Sequence, residues 1–146
     1  MEWAKSVGGD DNDRINLVAS TSDGRYIAGG YFGSSSIQVG DYTLTNYNSY
    51  DDGMIIKYSS EGEVEWARSV GGSSDDQINS VASTSDGGYI AGGEFISRSI
   101  QVGDYTLTNN SYSENSAGMI IKYSSEGAVE WARSVGEEES DSITSV

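Results

Sequence analysis

Apolar and polar residues alternate with a period of two along most of this chain, which is the pattern of half-buried β-strands. In residues 129–135 the alternation predicts Val129, Trp131 and Val135 on one side of a strand, with polar or small residues on the other. Residues 119–123 form a strongly apolar run. No segment has the 3.6-residue repeat of an amphipathic helix, and proline is absent. The chain is therefore predicted to be all-β, with no helices.

Turn residues divide the sequence into short strands. In the second half of the chain, strands are predicted at residues 78–84, 88–95, 100–102, 105–107, 119–123 and 129–135. Gly103-Asp104 predicts a two-residue type II′ hairpin, because glycine supplies the positive φ of its first central residue. Gly92-Gly93 inside a strand predicts a bulge or the close approach of another backbone. The unit is thus four principal strands with a small hairpin between the second and the third.

This unit occurs twice, and the start of a third copy follows. Residues 2–46 align with 65–109 and residues 53–64 with 118–129, and 46 of these 57 pairs are identical. The copies differ in length only between these blocks, which predicts a surface loop there. We divide the chain into a terminal strand of a neighbouring unit (1–9), two full repeats (10–72 and 73–136) and the start of a third repeat (137–146).

Tandem repeats of four antiparallel strands are typical of β-propeller blades. A β-solenoid is the alternative, although its coils are usually shorter and its strands parallel. The order Trp-Ala-Lys/Arg-Ser-Val-Gly-Gly, Ser-Asp-Gly-Gly-Tyr-Ile-Ala-Gly-Gly and Met-Ile-Ile-Lys-Tyr-Ser-Ser-Glu-Gly resembles the SBBP-type bacterial β-propeller repeat. The residues that carry the resemblance are Trp66, Gly71, Gly72, Asp76, Ile78, Ala82, Asp86, Gly87, Tyr89, Gly92, Gly93, Ile121, Lys122 and Gly127. The resemblance implies propeller blades and an extracellular or cell-surface location, but no particular chemistry.

The number of repeats raises the question of assembly, because propellers close with four to eight blades. The chain starts with a fourth-strand pattern containing Trp3 and Val7, and it finishes with a first-strand pattern containing Ile143 and Val146. We expect these four residues to mediate contacts between chains. Homo-oligomers are then a ring of three or four chains or, if head-to-tail contacts fail to close, a filament. The alternative is that the chain is one part of a longer array.

The charge balance restricts the partners. Twenty-three acidic residues against eight basic ones give a net charge of −15. Nucleic acid is therefore not an expected partner, since its binding depends on lysine and arginine. No apolar run is long enough for membrane insertion. The chain has neither cysteine nor histidine, which removes disulfides and the commonest general base.

Acidic side chains are the remaining candidates for chemistry. Asp10, Asp11 and Asp13 form the densest acidic loop, and hard oxygen ligands of this kind suit Ca²⁺. The alternative is that Asp13, like Asp76 and Asp141 in the other copies, caps a turn by accepting backbone N–H groups. We expect the caps and no cofactor. Paired carboxylates also catalyse glycoside hydrolysis, but the sequence singles out no pair, so no enzymatic activity is predicted.

The loop that differs between the repeats is the expected ligand site, if there is one. It combines tyrosine with asparagine, serine and aspartate, as adaptable recognition loops do. The candidate ligand-binding residues are Tyr47, Tyr50, Asp51, Asp52, Asn110 and Tyr112. The alternative is a loop that packs on its own hairpin. The sequence therefore predicts a self-assembling structural protein, with a module that binds a glycan or a protein as the alternative.

Overall fold

The computed structural model of the chain describes residues 2–46, 48–111 and 114–146, which form twelve β-strands and no helix. The strands of the first repeat are β1 (Asp13–Ser20), β2 (Tyr26–Phe32), β3 (Ser36–Val39), β4 (Tyr42–Thr45), β5 (Asp52–Tyr58) and β6 (Val64–Val70). Those of the second are β7 (Asp76–Ser83), β8 (Tyr89–Phe95), β9 (Ser99–Val102), β10 (Tyr105–Thr108), β11 (Ala117–Tyr123) and β12 (Val129–Val135). The all-β prediction is confirmed.

Each repeat folds into one antiparallel sheet of four strands. Sheet 1 has the order β1-β2-β5-β6, and sheet 2 has the order β7-β8-β11-β12. The remaining strands form the hairpins β3–β4 and β9–β10, inserted between the second and third principal strands. In the second hairpin Val102 pairs with Tyr105, and Gly103 between them has a φ of 59°. This positive φ is what the first central residue of a type II′ turn requires.

The two faces of each sheet carry different side chains, and we call them front and back. The front face of sheet 1 carries Ala28, Met54, Ile56 and Tyr58. Its back face carries Ile27, Gly29, Ile55 and Trp66. The back face of sheet 1 packs on the front face of sheet 2, and we call this contact the junction. The main apolar cluster lies at the junction, while a second cluster lies on the front face of sheet 1 under the hairpin β3–β4.

Bulges interrupt the period of two in the outer strands. In β6, Lys57 pairs with Trp66 and Tyr58 with Val64, so Glu65 is an extra residue, and Glu130 is the extra residue in β12. The prediction that Val129 shares a face with Trp131 is therefore wrong, because a bulge moves the following side chain to the other face. Val129 packs on the front face of sheet 2 instead.

The segments on either side of the strands differ from expectation. The sequence predicts a terminal strand in residues 1–9, with Trp3 and Val7, and a first-strand segment from Ile143 to Val146, but residues 2–9 and 137–146 form no strand in the structure. Both segments still lie against a sheet face through their side chains. A strand needs a neighbouring strand for its ladder of hydrogen bonds, and each segment here lies on a face and not beside an edge. The described residues also include no helix that is long and apolar enough to cross a membrane.

Candidate functional site

The junction depends on glycines in sheet 1. A Cβ atom on Gly29 would lie 2.6 Å from Ile78 Cγ2 and 2.8 Å from Val81 Cγ1. A Cβ atom on Gly53 would lie 3.3 Å from Ile78 Cγ1. Ile78 and Val81 belong to β7, and both are buried. These two branched side chains therefore rest directly on the backbone of sheet 1, in space that only glycine leaves open.

Trp66 of β6 completes the junction beside these glycines. Its indole ring stacks on Tyr123, with 5.8 Å between centroids, and meets the edge of Tyr89 at 5.9 Å. The indole Nε1 donates to the carbonyl oxygen of Ser125 at 3.0 Å. Gly127 lies under the ring, where a Cβ atom would be 2.7 Å from the indole carbon Cδ2. Trp66 is thus a buried core residue.

Trp3 makes the same set of contacts one repeat earlier. Its ring stacks on Tyr58 at 6.1 Å and meets Tyr26 at 5.6 Å, and Nε1 donates to the carbonyl oxygen of Ser60 at 3.1 Å. Gly62 lies under the ring as Gly127 does under Trp66. Residues 2–9 therefore hold, on the front face of sheet 1, the place that β6 holds on the front face of sheet 2.

Ile143 and Val146 lie on the back face of sheet 2, in the place that Ile78 and Val81 of β7 hold on the back face of sheet 1. Both lie over Gly92, whose Cβ atom would come 2.8 Å from Val146 Cγ1 and closer still to Ile143 Cγ2. The Ile143 amide donates to the Gly93 carbonyl at 3.1 Å. The Val146 amide donates to Ser80 Oγ at 3.1 Å. Two of the four predicted assembly residues thus contact sheet 2 of their own chain.

Two asparagines that the sequence analysis missed link neighbouring repeats. Asn16 is the bulged residue of β1, and its Nδ2 donates to the carbonyl oxygen of Ile78 at 2.8 Å. Asn79 is the bulged residue of β7 and donates in the same way to Ile143 at 3.2 Å. The sequence signal was an asparagine that breaks the strand alternation in both repeats. A bulge re-aims one side chain, here towards the next repeat.

The strands β6 and β12 have the same seven-residue sequence, Val-Glu-Trp-Ala-Arg-Ser-Val, but different surroundings. Val70 in β6 is 2% exposed, whereas Val135 in β12 is 49% exposed. At the other end of the molecule, Val18 in β1 is 56% exposed and its counterpart Val81 in β7 is 2% exposed. Sequence differences do not explain this contrast, because the residues are identical; the presence of a neighbouring sheet does.

The acidic loop of the first repeat serves the backbone. Asp13 accepts hydrogen bonds from the Gly9 amide at 2.7 Å and from Ser34 Oγ at 2.8 Å. Asp11 accepts from the amide of its neighbour Asn12 at 2.7 Å, and Asp10 is exposed. The predicted turn cap at Asp13 is confirmed.

The equivalent aspartates of the other copies have the same role. Asp76 accepts the Gly72 amide at 2.9 Å and Ser97 Oγ at 2.7 Å, and Asp141 accepts the Glu137 amide at 3.2 Å. Burial raises the pKa of Asp76 to about 6, and the hydrogen bonds from Ser97 and Gly72 oppose this increase. Within the described ranges, no group of three or more acidic side chains is placed to hold a metal ion.

Asp52 was expected in the variable loop but begins β5, where it is buried. Among the described residues, the Oδ1 atom of Asp52 has no hydrogen-bond partner, and the backbone of Gly71 lies against it. Burial raises the pKa of Asp52 to about 7, and the nearby carboxylates of Asp76 and Asp51 contribute to this increase. The second repeat has Ala117 at this position.

Of the other candidate ligand residues, Tyr47 and Tyr112 lie outside the described residues. Tyr50 and Asn110 are exposed. In both repeats a buried asparagine ties the loop to the hairpin: Asn46 Nδ2 donates to the Tyr50 carbonyl, and Asn109 Nδ2 donates to the Asn115 carbonyl at 2.8 Å. The described part of each loop therefore contacts its own hairpin and also the segment after the last strand of its repeat, since Asn48 Nδ2 donates to the Gly72 carbonyl and Asn115 Nδ2 donates to the Glu138 carbonyl at 3.3 Å.

Asp51 lies at a polar groove of about 290 Å³ between the two repeats. Its backbone amide donates to Asp75 Oδ1 at 3.0 Å, and the pKa of its own carboxyl is raised by burial and by the charge of Asp75. The side chains that line the rest of the groove include Tyr31, Gln77 and Glu94. This mixture of hydroxyl, amide and carboxylate groups suits hydrogen bonding to a polar ligand.

Sequence reasoning missed residues whose role depends on the neighbouring repeat: Asn16, Asn79, Val18 and Gly29. The described residues do not close into a ring, so the resemblance to SBBP-type propeller repeats stays a prediction. Among known proteins, no family model and no curated protein matches this chain.

Proposed function

We propose that this chain is a non-enzymatic structural protein, a β-propeller-type repeat that assembles by stacking its sheets on those of other copies. The observation that carries the proposal is the contrast between identical residues at the junction and at the outer faces. Val70 and Val81 are buried at the junction, while their counterparts Val135 and Val18 are exposed. The two outer faces are therefore the two halves of an interface that the chain already forms once internally.

The front face of sheet 1 offers a groove that fits this role. It has a volume of about 490 Å³ and is mainly apolar. Its lining includes Trp3, Val7, Ile15, Val18, Tyr26, Ala28 and Tyr58. At the junction, the equivalent residues of sheet 2 are covered by Ile27 and Ile55 of sheet 1. The counterparts of these two residues on the back face of sheet 2 are Ile90 and Ile120, which are only half-buried. We therefore assign the groove to Ile90 and Ile120 of a second copy.

A lysine supports the same assignment. At the junction, Lys57 Nζ donates to the carbonyl oxygen of Ser125 at 2.9 Å and lies 5.3 Å from the ring centre of Tyr89. Its counterpart Lys122 lies on the back face of sheet 2, where it pairs with Asp86 at 3.2 Å and Glu130 at 2.9 Å. A second copy would present to Lys122 the carbonyl and ring that Lys57 uses.

The proposed contact joins a front face to a back face, so it is head-to-tail. Such contacts form rings when the rotation closes and filaments when it does not. Each chain contributes two sheets, so three chains make a six-bladed ring and four chains an eight-bladed ring, both within the range of known propellers. The resemblance to SBBP-type repeats supports an extracellular or cell-surface location for this assembly.

Native mass spectrometry of the full chain tests the proposal. We expect trimers, tetramers or a series of higher masses for the wild type, and monomers for Val18→Asp, which places a charge in the interface. Tyr50→Asp is the matched control, because Tyr50 is 50% exposed in a loop away from both faces. It should assemble like the wild type. A wild-type chain that stays monomeric at millimolar concentration would overturn the proposal.

A second candidate is the binding of a glycan at the polar groove beside Asp51. The groove brings together one tyrosine, one glutamine and four carboxylates, which are common sugar-binding groups. Isothermal titration with neutral oligosaccharides tests it, with Gln77→Ala as the binding-deficient variant. The absence of heat from every oligosaccharide tried, while the protein stays folded, would argue against this function.

A further inference from the structure

Three segments of the chain share the pattern Asp-x-Ile-x-x-Val. The residues that define the pattern are Asp13, Ile15 and Val18; Asp76, Ile78 and Val81; and Asp141, Ile143 and Val146. The second segment lies on the back face of sheet 1 and the third on the back face of sheet 2. The first segment lies on the exposed front face of sheet 1, with Val18 more than half exposed.

The two occupied sites are built alike. In the first, Ile78 and Val81 rest on Gly29, and the Asp76 amide donates to the Asp51 carbonyl at 2.8 Å. In the second, Ile143 and Val146 rest on Gly92, and the amide of Asp141 donates to the carbonyl of Ser116 at 2.9 Å. Ser116 directly precedes β11, just as Asp51 directly precedes β5. Both sites therefore bind the same pattern through the same kinds of group.

The second site makes polar contacts that suit an extended peptide, and its asparagine contact repeats the one from Asn16 to Ile78 at the first site. The Gly93 carbonyl accepts the Ile143 amide, and Asn79 Nδ2 donates to the Ile143 carbonyl. Ser80 Oγ accepts the Val146 amide. Backbone groups of Asp141, Ile143 and Val146 are thus bonded without a β-ladder, and we expect the spacing of the two apolar side chains to determine which peptide binds.

The two sites differ in how firmly the segment is held. Residues 76–83 form β7 and pair along their length with β8, so they cannot leave without breaking sheet 2. Residues 141–146 belong to no strand, and Val146 is 39% exposed. This segment contacts the back face of sheet 2 and Ser116, and none of these contacts belongs to a β-ladder, so it can leave the site while both sheets remain intact.

We propose that the back face of sheet 2, centred on Gly92 and Gly118, is an exchangeable binding site for an extended Asp-x-Ile-x-x-Val peptide. Residues 141–146 occupy it within the chain, and residues 13–18 of a second copy replace them on assembly. The inference rests on the proposed stacking and adds its regulation: the internal segment competes with the incoming copy. A tethered segment acts at a millimolar effective concentration, so the full face contact is needed to displace it.

Stacking requires a matching exchange on the other face. Stacking would bring Trp131 of the first copy to the place that Trp3 holds in the second copy. That place, against Tyr26 and Tyr58 of the second copy, has room for one indole ring. Residues 2–9 of the second copy therefore move aside for β12 of the first. The two internal segments together raise the protein concentration that assembly needs above that of an open interface.

Binding of a fluorescent peptide to the full chain tests the site. The probe has the sequence of residues 10–20, and anisotropy is measured in about 0.3 M NaCl to screen the negative charges. Ile143→Asp with Val146→Asp empties the site, and we expect it to bind the probe at least about tenfold more tightly than the wild type. A control probe with aspartate in place of Ile15 and Val18 should not bind.

Gly92→Val, added to the emptied chain, fills the space for the probe and should abolish binding. Circular dichroism confirms that each variant folds; if the aspartate pair prevents folding, Ile143→Ser with Val146→Ser replaces it. Equal probe binding by wild type and emptied chain, or binding unaffected by Gly92→Val, would overturn the inference. If the probe binds as expected but the wild type stays monomeric, the peptide site stands and the stacking proposal fails. If the wild type assembles but the emptied chain does not bind the probe, the stacking proposal is supported and the proposed peptide site is contradicted.

Discussion

Asp52 is buried beside two other carboxylates, and its Oδ1 atom has no hydrogen-bond donor in the part of the chain that the structure describes. The second repeat has Ala117 at the same place in an otherwise identical strand. A buried carboxyl group is tolerated more easily when protonated, which is why the pKa of Asp52 is raised to about 7. The stability of the first repeat should therefore depend on pH through this residue.

We predict that Asp52→Ala stabilises the protein at pH 8 but not at pH 4. Because the folded-state pKa lies above the unfolded value, stability is greatest below the unfolded pKa and is lost as the pH rises through about 7. Urea unfolding should show a gain of about 1–3 kcal/mol for the variant at pH 8. Asp52→Asn is the neutral control of similar size. A variant that is equally destabilised at both pH values would contradict the prediction.

The two equivalent glycines of the back faces allow a matched comparison. Gly29→Val should destabilise the protein by about 3 kcal/mol or more, since the new side chain meets Ile78 and Val81, which β8 holds in place. Gly92→Val should cost less than about 1 kcal/mol, because Ile143 and Val146 can move away. Thermal unfolding of both variants measures the difference. Equal losses would show that residues 141–146 are held as firmly as β7.

Sequence reasoning predicted some of these residues and missed others for a physical reason. The Gly92-Gly93 pair indicated close approach of another backbone or a bulge, and the structure has an apolar segment over Gly92 and the bulged strand β7 against Gly93. Asn16 gave only a break in alternation, because the acceptor of its hydrogen bond lies 62 residues away. Local patterns report a residue's own strand and not what packs on it.

At the scale of elements, β6 and β12 separate the effect of sequence from that of surroundings. Both pair with the neighbouring apolar strand in the same register, with the same bulge at the glutamate. Of these two strands, only β6 has its back face covered by another sheet, as the burial of Val70 and the exposure of Val135 show. The strands were therefore predictable from alternation and turns. The bulge that turns Val129 away from Trp131 was not predictable, because nothing in the seven-residue sequence marks where the strand contains an extra, unpaired residue.

We predict that the same substitution has unequal effects in the two strands. Trp66→Ala should cost about 3–5 kcal/mol, because the buried indole packs on Tyr89 and Tyr123. Trp131→Ala should cost less than half as much in the monomer, since that indole is half-buried. Chemical denaturation at low protein concentration measures both. Similar losses would mean that the outer strand is already covered.

At the scale of the whole molecule, the charge opposes the stacking that the faces favour. Each chain carries a net charge of −15, so copies repel one another at low ionic strength. Salt at about 0.5 M reduces the Debye length to a few ångströms and removes most of this repulsion between exposed charges. The groove on the front face of sheet 1 is mainly apolar, so salt should weaken few of the attractive contacts that it makes.

We therefore predict that assembly strengthens with salt. Sedimentation velocity should show a higher mean mass at about 0.5 M than at about 0.05 M NaCl. Val18→Asp should remain monomeric in both conditions, because its defect lies in the interface. A mean mass that falls as salt is added would indicate contacts dominated by ion pairs, and would contradict apolar stacking.

The shared sequence of β6 and β12 also affects the folding of the chain. The side chains of the two strands offer β5 the same partner, so chemistry does not decide between them. Chain connectivity does: five residues separate β5 from β6, and seventy separate it from β12. Loop-closure entropy favours the short connection by about 2 kcal/mol. This entropic preference does not apply to a strand from another molecule. During refolding, the fraction of strand-exchanged oligomers should therefore increase with protein concentration, while dilute chains fold correctly.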